Sequence, residues 1–270
     1  MNSTKTTALR PTHSFRIAFF DIDGTLLNFG ARDLNPPVLE ALLALRRQGV
    51  KLYAATGRPP YTVPHFKGFE FDGKLCFNGS YCLEGDKLIY SCPLDREELA
   101  KVVENATRMG IATEIATASW MGCNFYQKEL DDYMYLSKHH LQILEDFERL
   151  LGEADIYQMM VGCTAELDEA LLTGTKDVKV ARWLDSAADI IPRSCGKAYG
   201  IEKILDYYGW DRKECIAFGD GGNDLDMIAY AGLGVAMGNA SEAVKAVADY
   251  VTDPCEADGV YTALLKLGLL

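Results

Sequence analysis

The sequence is short of positive charge. Its 27 Lys and Arg stand against 39 Asp and Glu, a net charge of −12, and no basic cluster runs along any segment. Tracking a phosphate backbone needs such a stripe, so nucleic acid is excluded as a partner. Long hydrophobic runs are missing as well. No apolar stretch reaches the about 18 residues that cross a bilayer, and the polar opening MNSTKTTALRPTHS carries no hydrophobic signal core. The expectation is a cytoplasmic chain with no membrane partner. Histidine is scarce: the four, His13, His65, His139 and His140, have no metal-ligand companions and read as solvated surface residues. The eight cysteines never form C-x-x-C and have no His at zinc spacing, so they read as buried thiols that pack like small hydrophobes.

What is present fits an ordinary globular protein, 49% hydrophobic and 24% charged. At 270 residues the chain is near the size at which one core splits, which predicts one domain with an insertion, or two domains. The stretch RIAFFDIDGTLLNFG begins with a buried-strand run, IAFF, and ends in Asp21 and Asp23 followed by Gly24 and Thr25. In open α/β sheets ligands bind beyond the carboxyl ends of the strands, so acids at that end stand where chemistry usually sits. LNPPVLEALLALRRQG then carries a helix, with Asn35 as candidate N-cap, Pro36 in the first turn and Gly49 just past the end. VKLYAA follows as a strand ending at TGR, and this strand–helix–strand order predicts a parallel sheet. Another short strand, KLCF, ends at NGS. From Leu83 to Pro192 the texture becomes α+β, and beyond it strands and helices alternate again. The predicted fold class is α/β. Residues 1–82 and 193–270 form one discontinuous domain, and residues 83–192 form an inserted second one.

Four stretches fall at strand ends or helix starts of the discontinuous domain: DIDGT (21–25), ATGR (55–58), GKAYG (196–200) and GDGGND (219–224). In a parallel sheet these places share one edge. Together they supply carboxylates, a hydroxyl, glycine amides and one ammonium. An oxygen-only set suits a hard cation such as Mg²⁺, and the Lys, Thr and amides suit a phosphate. Each stretch alone has a bland reading. D-x-D-G-T is often a solvated turn, and Lys197 is a helix-start lysine that the helix dipole slightly disfavours unless an anion meets it. GDGGND lacks the G-x-G-x-x-G spacing of a dinucleotide loop. The four in register decide for function. Arg58 reads equally as the partner of a nearby acid or as a substrate contact, and Asn78 as a residue closing a turn or facing substrate. In the insertion, Trp120, Met121, Tyr126, Arg182 and Trp183 are candidates for specificity, against an ordinary core or interface role.

In order and spacing, these stretches with FFDIDGTLL, GVKLYAATGR, FNGS, GKAYGIEKIL, AFGDGGNDLDMIAYAGLGVAMGNA and YVTDPCEADGV resemble the haloacid dehalogenase superfamily, specifically its Cof-type phosphatases. The inserted segment is similar to the family's caps only in length and texture. The resemblance implies a Rossmann-like core with an α+β cap, and a Mg²⁺-dependent phosphatase of a small phosphorylated metabolite, such as a sugar phosphate. It implies that Asp21 is the nucleophile that forms an aspartyl-phosphate, and that Asp23 is the general acid and base. Mg²⁺ would lie between the Asp21 carboxylate, the Asp23 backbone carbonyl and Asp220, with Asp224 supporting that shell. Thr56, the Gly57 amide, Lys197 and Asn223 would hold the phosphoryl group. Dehalogenation is disfavoured, since it needs no acid at position 23. A phosphotransferase or phosphomutase, or a non-catalytic phosphometabolite sensor, are the alternatives; the intact acids speak against the sensor.

Overall fold

The computed structural model describes residues 15–28, 30–136 and 138–270. His13 and the side chain of Trp183 lie outside what is described. From β1 (Ile17–Phe20) the chain runs through α1 (Pro36–Arg47) to β2 (Lys51–Ala55), β3 (Gly73–Cys76), and a hairpin of β4 (Tyr81–Glu84) and β5 (Lys87–Ser91). A second layer follows: α2 (Arg96–Arg108), β6 (Thr113–Ala116), β7 (Met121–Cys123), α3 (Lys128–Leu136), α4 (Phe147–Glu153), β8 (Gln158–Val161), α5 (Asp168–Leu171), β9 (Val178–Leu184) and β10 (Ala187–Pro192). The chain then returns through α6 (Lys197–Tyr208), β11 (Cys215–Gly219), α7 (Leu225–Tyr230), β12 (Leu233–Ala236), α8 (Glu242–Val247), β13 (Tyr250–Val251) and α9 (Gly259–Lys266).

Among the described residues the strands form two sheets. The first has the order β13-β12-β11-β1-β2-β3-β4-β5, parallel from β13 to β3 and antiparallel across β3, β4 and β5. The second, β7-β6-β8-β10-β9, is antiparallel throughout. This is the expected α/β core with an α+β insertion. One boundary is corrected: residues 83–91 belong to the core sheet, because Lys74 and Leu75 pair with Leu83 and Cys82 and the tight turn at Gly85 brings β5 alongside. In the sequence the texture changes at Leu83, but the chain leaves the core sheet only after Ser91. Within the insertion, β7 is the short run MGC and β10 the wholly buried AADIIP.

Strand β1 is wholly buried and lies between β11 and β2, with Phe20 level with Phe218 on one side and Ala54 on the other. From β1 the chain steps to one side for β2 and β3, and later to the other for β11 and β12. The reversal of direction between β1 and β11 is the switch point at which such sheets open a crevice. The sheet is covered on both faces. Leu42 and Leu45 of α1 and Leu264 of α9 join Phe20 and Phe218 on one face, and Ile201, Ile204 and Leu205 of α6 join Phe19 and Tyr53 on the other. Helix α1 begins at Pro36 as expected, but Asn35 makes no capping bond; its amide donates to Asp258 Oδ1 at 2.8 Å, tying α1 to the start of α9. The eight cysteines are free thiols, seven of them buried. Among the described residues no helix is long and apolar enough to cross a membrane.

Candidate active site

Asp21 is the first residue past β1, Thr56 the first past β2, and Asp220 the first past β11. Adjacent parallel strands of matched length therefore bring them to one edge. Lys197 arrives from the opposite side as the first residue of α6, which needs close packing to reach so far. A Cβ on Gly200 would sit 2.9 Å from the Gly79 Cα, and one on Gly79, at φ +95°, would sit 2.1 Å from the Gly196 carbonyl oxygen. Glycine on both sides of this contact lets the helix start press against the loop after β3.

The result is a buried charge cluster. Lys197, with no exposed surface, donates to Asp21 Oδ1 at 2.7 Å and to Asp224 Oδ1 at 2.5 Å. The other Asp224 oxygen accepts the Asp220 and Gly221 amides, both at 2.9 Å, so Asp224 fixes the loop that carries Asp220. Asp220 in turn accepts from the Thr25 hydroxyl at 2.8 Å and from Asn239 at 3.2 Å. Gly24 adopts φ +91°, and a Cβ there would lie 2.3 Å from Asp220 Oδ2, so only glycine lets the two loops approach. The dipole penalty on a cation at the start of α6 is met by two carboxylates rather than by solvent.

Burial, then the nearby Asp224 charge, raises the Asp21 pKa well above the ordinary range, with Lys197 pulling it partly back. The same two causes push Asp220 up to about 7. Burial works against the Lys197 charge, but Asp21 and Asp224 outweigh it and its pKa is raised. Carboxylate oxygens of Asp21, Asp220 and Asp224 all lie within 4.8 Å of one another. One ammonium does not balance three converging acids, and the donors are oxygen alone. Such a set fits a hard divalent cation and favours it over Zn²⁺. Of the residues expected around a metal, Asp21 and Asp220 meet here; Asp23 is expected there through its backbone carbonyl, and its carboxylate, which also lines the site, is held by Arg58.

Asp23 is held by Arg58, whose Nε and Nη2 donate to its two oxygens at 2.7 Å each. Of the two readings of Arg58, the geometry is that of the acid's partner. Thr56, 2% exposed, accepts the Arg58 amide on Oγ1 at 3.1 Å, which leaves its own proton to donate. Asn78 does not close a turn with its side chain. It sits in the left-handed region at φ +51° and reaches the inserted layer, donating to Gln158 Oε1 at 3.2 Å and Asp189 Oδ2 at 3.0 Å while accepting from Asn223 at 2.9 Å. Asn223 thus spends one amide proton on Asn78 and still lines the site.

Above the acids a cavity of about 410 Å³ lies between the two layers. Of the five candidates from the insertion, Met121 reaches it. Tyr126 is exposed, and Arg182 is engaged by Asp168 and by the Cys163 and Ala187 carbonyls. The lining instead takes Tyr133, Met134, His139, Gln158, Met160 and Leu184. His139 is therefore not a plain surface residue, and burial followed by the Arg58 charge lowers its pKa. Strand pairing carried the missing signal: in β8 Gln158 and Met160 alternate onto one face, opposite Ala116 and Glu114 of β6, and Asp189 of β10 pairs with Met160.

The sequence profile of the haloacid dehalogenase-like hydrolases matches residues 18–264. The chain is 30% identical over 262 residues to YkrA of Bacillus subtilis (strain 168), covering 94% of this chain and 98% of that one. With the 5-amino-6-(5-phospho-D-ribitylamino)uracil phosphatase YitU of the same organism it shares 29% identity over 255 residues, 89% and 93% of the two chains. The solved structure of BT4131, a sugar phosphatase of haloacid dehalogenase subclass IIB, superposes with a TM-score of 0.87 at 30% identity, covering 94% of this chain and all of that one.

Proposed function

The chain belongs to the haloacid dehalogenase-like hydrolases, and on that premise we propose that it is a Mg²⁺-dependent phosphatase that hydrolyses a small phosphorylated metabolite, a sugar phosphate or similar phosphomonoester, through an aspartyl-phosphate. The observation that carries this reading is the Asp21–Lys197–Asp224–Asp220 cluster, where a nucleophilic carboxylate shares a buried site with one fixed cation and two further acids.

Asp21 holds Lys197 through one oxygen, so the other is the one to attack phosphorus. The new bond joins that oxygen to phosphorus, and the bond to the leaving alcohol breaks; Asp23 supplies the alcohol's proton. In the second half Asp23 takes a proton from water, the water oxygen bonds to phosphorus, and the Asp21 oxygen departs. Two-step displacement with one group serving in both directions replaces a single difficult step. Arg58 orients Asp23 through a forked pair, a geometry that Lys could not reproduce. The Thr56 hydroxyl, the Gly57 amide, Asn223 and the Lys197 ammonium are the donors for the phosphoryl oxygens, held in place before substrate arrives. Asp21, Asp220 and the Asp23 carbonyl would hold Mg²⁺, which when bound neutralises charge shared by the phosphoryl oxygens and the acids. Asp224 acts by fixing Lys197 and the Asp220 amide.

The test is release of inorganic phosphate from a panel of phosphomonoesters with Mg²⁺ present, together with beryllium fluoride trapping on Asp21. Asp21→Asn should lose nearly all turnover and the trapped adduct. Turnover near that of the parent would refute the covalent route.

A further inference from the structure

We propose that Cys92 and Cys195 form a redox-sensitive pair, which a peroxide converts to a disulfide that ties together the two chain crossings between the core and the inserted layer and so slows the swing of that layer. The insertion joins the core through two short stretches, residues 92–93 after β5 and residues 193–196 before α6. Any swing of one layer against the other has to bend there, since hinge motion is absorbed by a few residues at the ends of elements. Of the eight free thiols, Cys92 and Cys195 are the two that stand in these crossings, one in each.

The fold sets the crossings side by side. The Cys92 amide donates to the Ser80 carbonyl at 2.9 Å, and Gly79, one residue earlier, packs against the Gly196 carbonyl, so one tight turn touches both crossings. Tyr90 of β5 and Tyr199 of α6 meet edge to face with ring centroids 5.6 Å apart, a second link across the same seam. The two thiols lie within hydrogen-bond reach of each other. Cys82, the nearby core thiol, is instead turned to the Gly79 and Gly200 carbonyls, 3.9 Å from each. Exposure separates the roles. Cys92 is half-buried, whereas Cys195 is 1% exposed, and burial followed by the Cys92 thiol pushes its pKa up to about 11. A peroxide in solution therefore meets Cys92 first. The Cys92 sulfur gains an oxygen and gives up two electrons, while the peroxide O–O bond breaks and water is released. The Cys195 sulfur then attacks the sulfenic sulfur: the S–S bond forms, the S–O bond breaks, and hydroxide departs with the Cys195 proton as a second water. A dithiol returns the two electrons and two protons and reopens the pair. Cys195 lies two residues before Lys197, so the bond also restrains the helix start that supplies the buried ammonium.

The experiment treats the full chain with hydrogen peroxide, blocks the remaining thiols with iodoacetamide and maps cross-linked peptides by mass spectrometry without reduction. The expected product is a Cys92–Cys195 peptide pair, lighter by two hydrogens than the two free-thiol peptides together, with amide hydrogen exchange slowed across both crossings. Dithiothreitol should undo both changes. Phosphate release, from whichever phosphomonoester the panel above identifies, should fall in the oxidised chain and return on reduction, since opening and closing of a covering layer limits turnover when it is slow. Cys92→Ser, and separately Cys195→Ser, should form no cross-link and keep exchange and turnover through the same treatment, whereas Cys82→Ser should cross-link as the parent does. A Cys82–Cys195 link, no link at all, a Cys92–Cys195 link that leaves either exchange or turnover unchanged, or a loss of turnover that Cys92→Ser shares would overturn the proposal. Phosphate release from no ester in the panel would overturn the phosphatase reading alone, because cross-link and exchange are read without substrate and still decide this one.

Discussion

Replacing Lys197 by Met tests the charge cluster most directly. The ammonium is wholly buried and bonds both Asp21 and Asp224, so its removal strands two acids in a site that keeps water out. Removing one partner of a buried pair costs about 3–5 kcal/mol. For a domain of this size that is a fall in Tm of roughly 6–20 °C at pH 8. The pH dependence has a definite sign. Because its folded pKa is raised, Lys197 contributes fully below the ordinary lysine range and is lost only as pH rises through the folded value, so its own contribution is constant between pH 5.5 and 8. Asp21 behaves differently. Its pKa is already raised by burial and Asp224, and without Lys197 it rises further, so the folded variant holds more protons than the unfolded chain and loses stability as pH climbs. The deficit should therefore be smaller at pH 5.5 than at pH 8. Asp224→Asn in the same chain should recover part of it, since one stranded charge is gone, and the two changes should be non-additive. Thermal unfolding at both pH values provides the readout. A Tm within about 2 °C of the parent at pH 8, or a deficit larger at pH 5.5, would show that the cluster is not the tightly coupled unit described here.

Asp23→Asn should lower kcat by about 10²–10⁴ on alkyl phosphates and by much less on an activated aryl phosphate, whose oxygen leaves without a proton; equal losses on both would remove Asp23 from the general-acid role. Chelation should abolish activity and Mg²⁺ restore it. The Mg²⁺ midpoint, read as thermal stabilisation, should rise as pH falls from 8 to 6, because below about 7 Asp220 holds a proton that the cation must displace; an unchanged midpoint would count against Asp220 as a ligand. Asn78→Ala should raise KM far more than it lowers Tm, because it breaks the side-chain links to Gln158, Asp189 and Asn223 while the rest of its loop is held by backbone bonds; a Tm loss with unchanged KM would make Asn78 a structural residue only.

The core and its acidic edge were legible because the information is contiguous. IAFF, VKLYAA and CIAFG each end a buried strand, and the next residue along the chain, or the one after, carries the chemistry. A strand that must lie under a crossover helix cannot tolerate a charge in its interior, so Asp21 and Asp220 have nowhere to stand except its end. Gly24, Gly79 and Gly200 were visible as glycines, but the contacts that require them join segments far apart in the chain. The hairpin that extends the core sheet to Ser91 was hidden for a related reason. Its second strand, KLIYS, is half exposed at the sheet edge and has neither the apolar run of a buried strand nor a clean alternation.

The inserted layer was less legible because its functional face is defined by register rather than by motif. QMMV is one amide and three apolar residues, all buried, and nothing in the run says which two meet the core. Only the pairing of Met160 with Asp189 and with Glu114 puts Gln158, Met160 and Asp189 on one side. Asn78 then connects that side to the chemistry. A residue in the left-handed region turns its side chain out of the path that a strand or helix would give it, and Asn accepts this conformation at small cost. From there one amide touches Asn223 of the acidic loop and both Gln158 and Asp189 of the facing sheet, while Gln158 returns to the Gly57 carbonyl beside Thr56. The loop proposed to grip the phosphoryl group and the facing wall of the cavity therefore share hydrogen bonds. On the proposed function, a substrate that displaces the wall also disturbs Gly57 and Asn223, so selection of the alcohol and alignment of the phosphate would be coupled through four side chains and one backbone carbonyl.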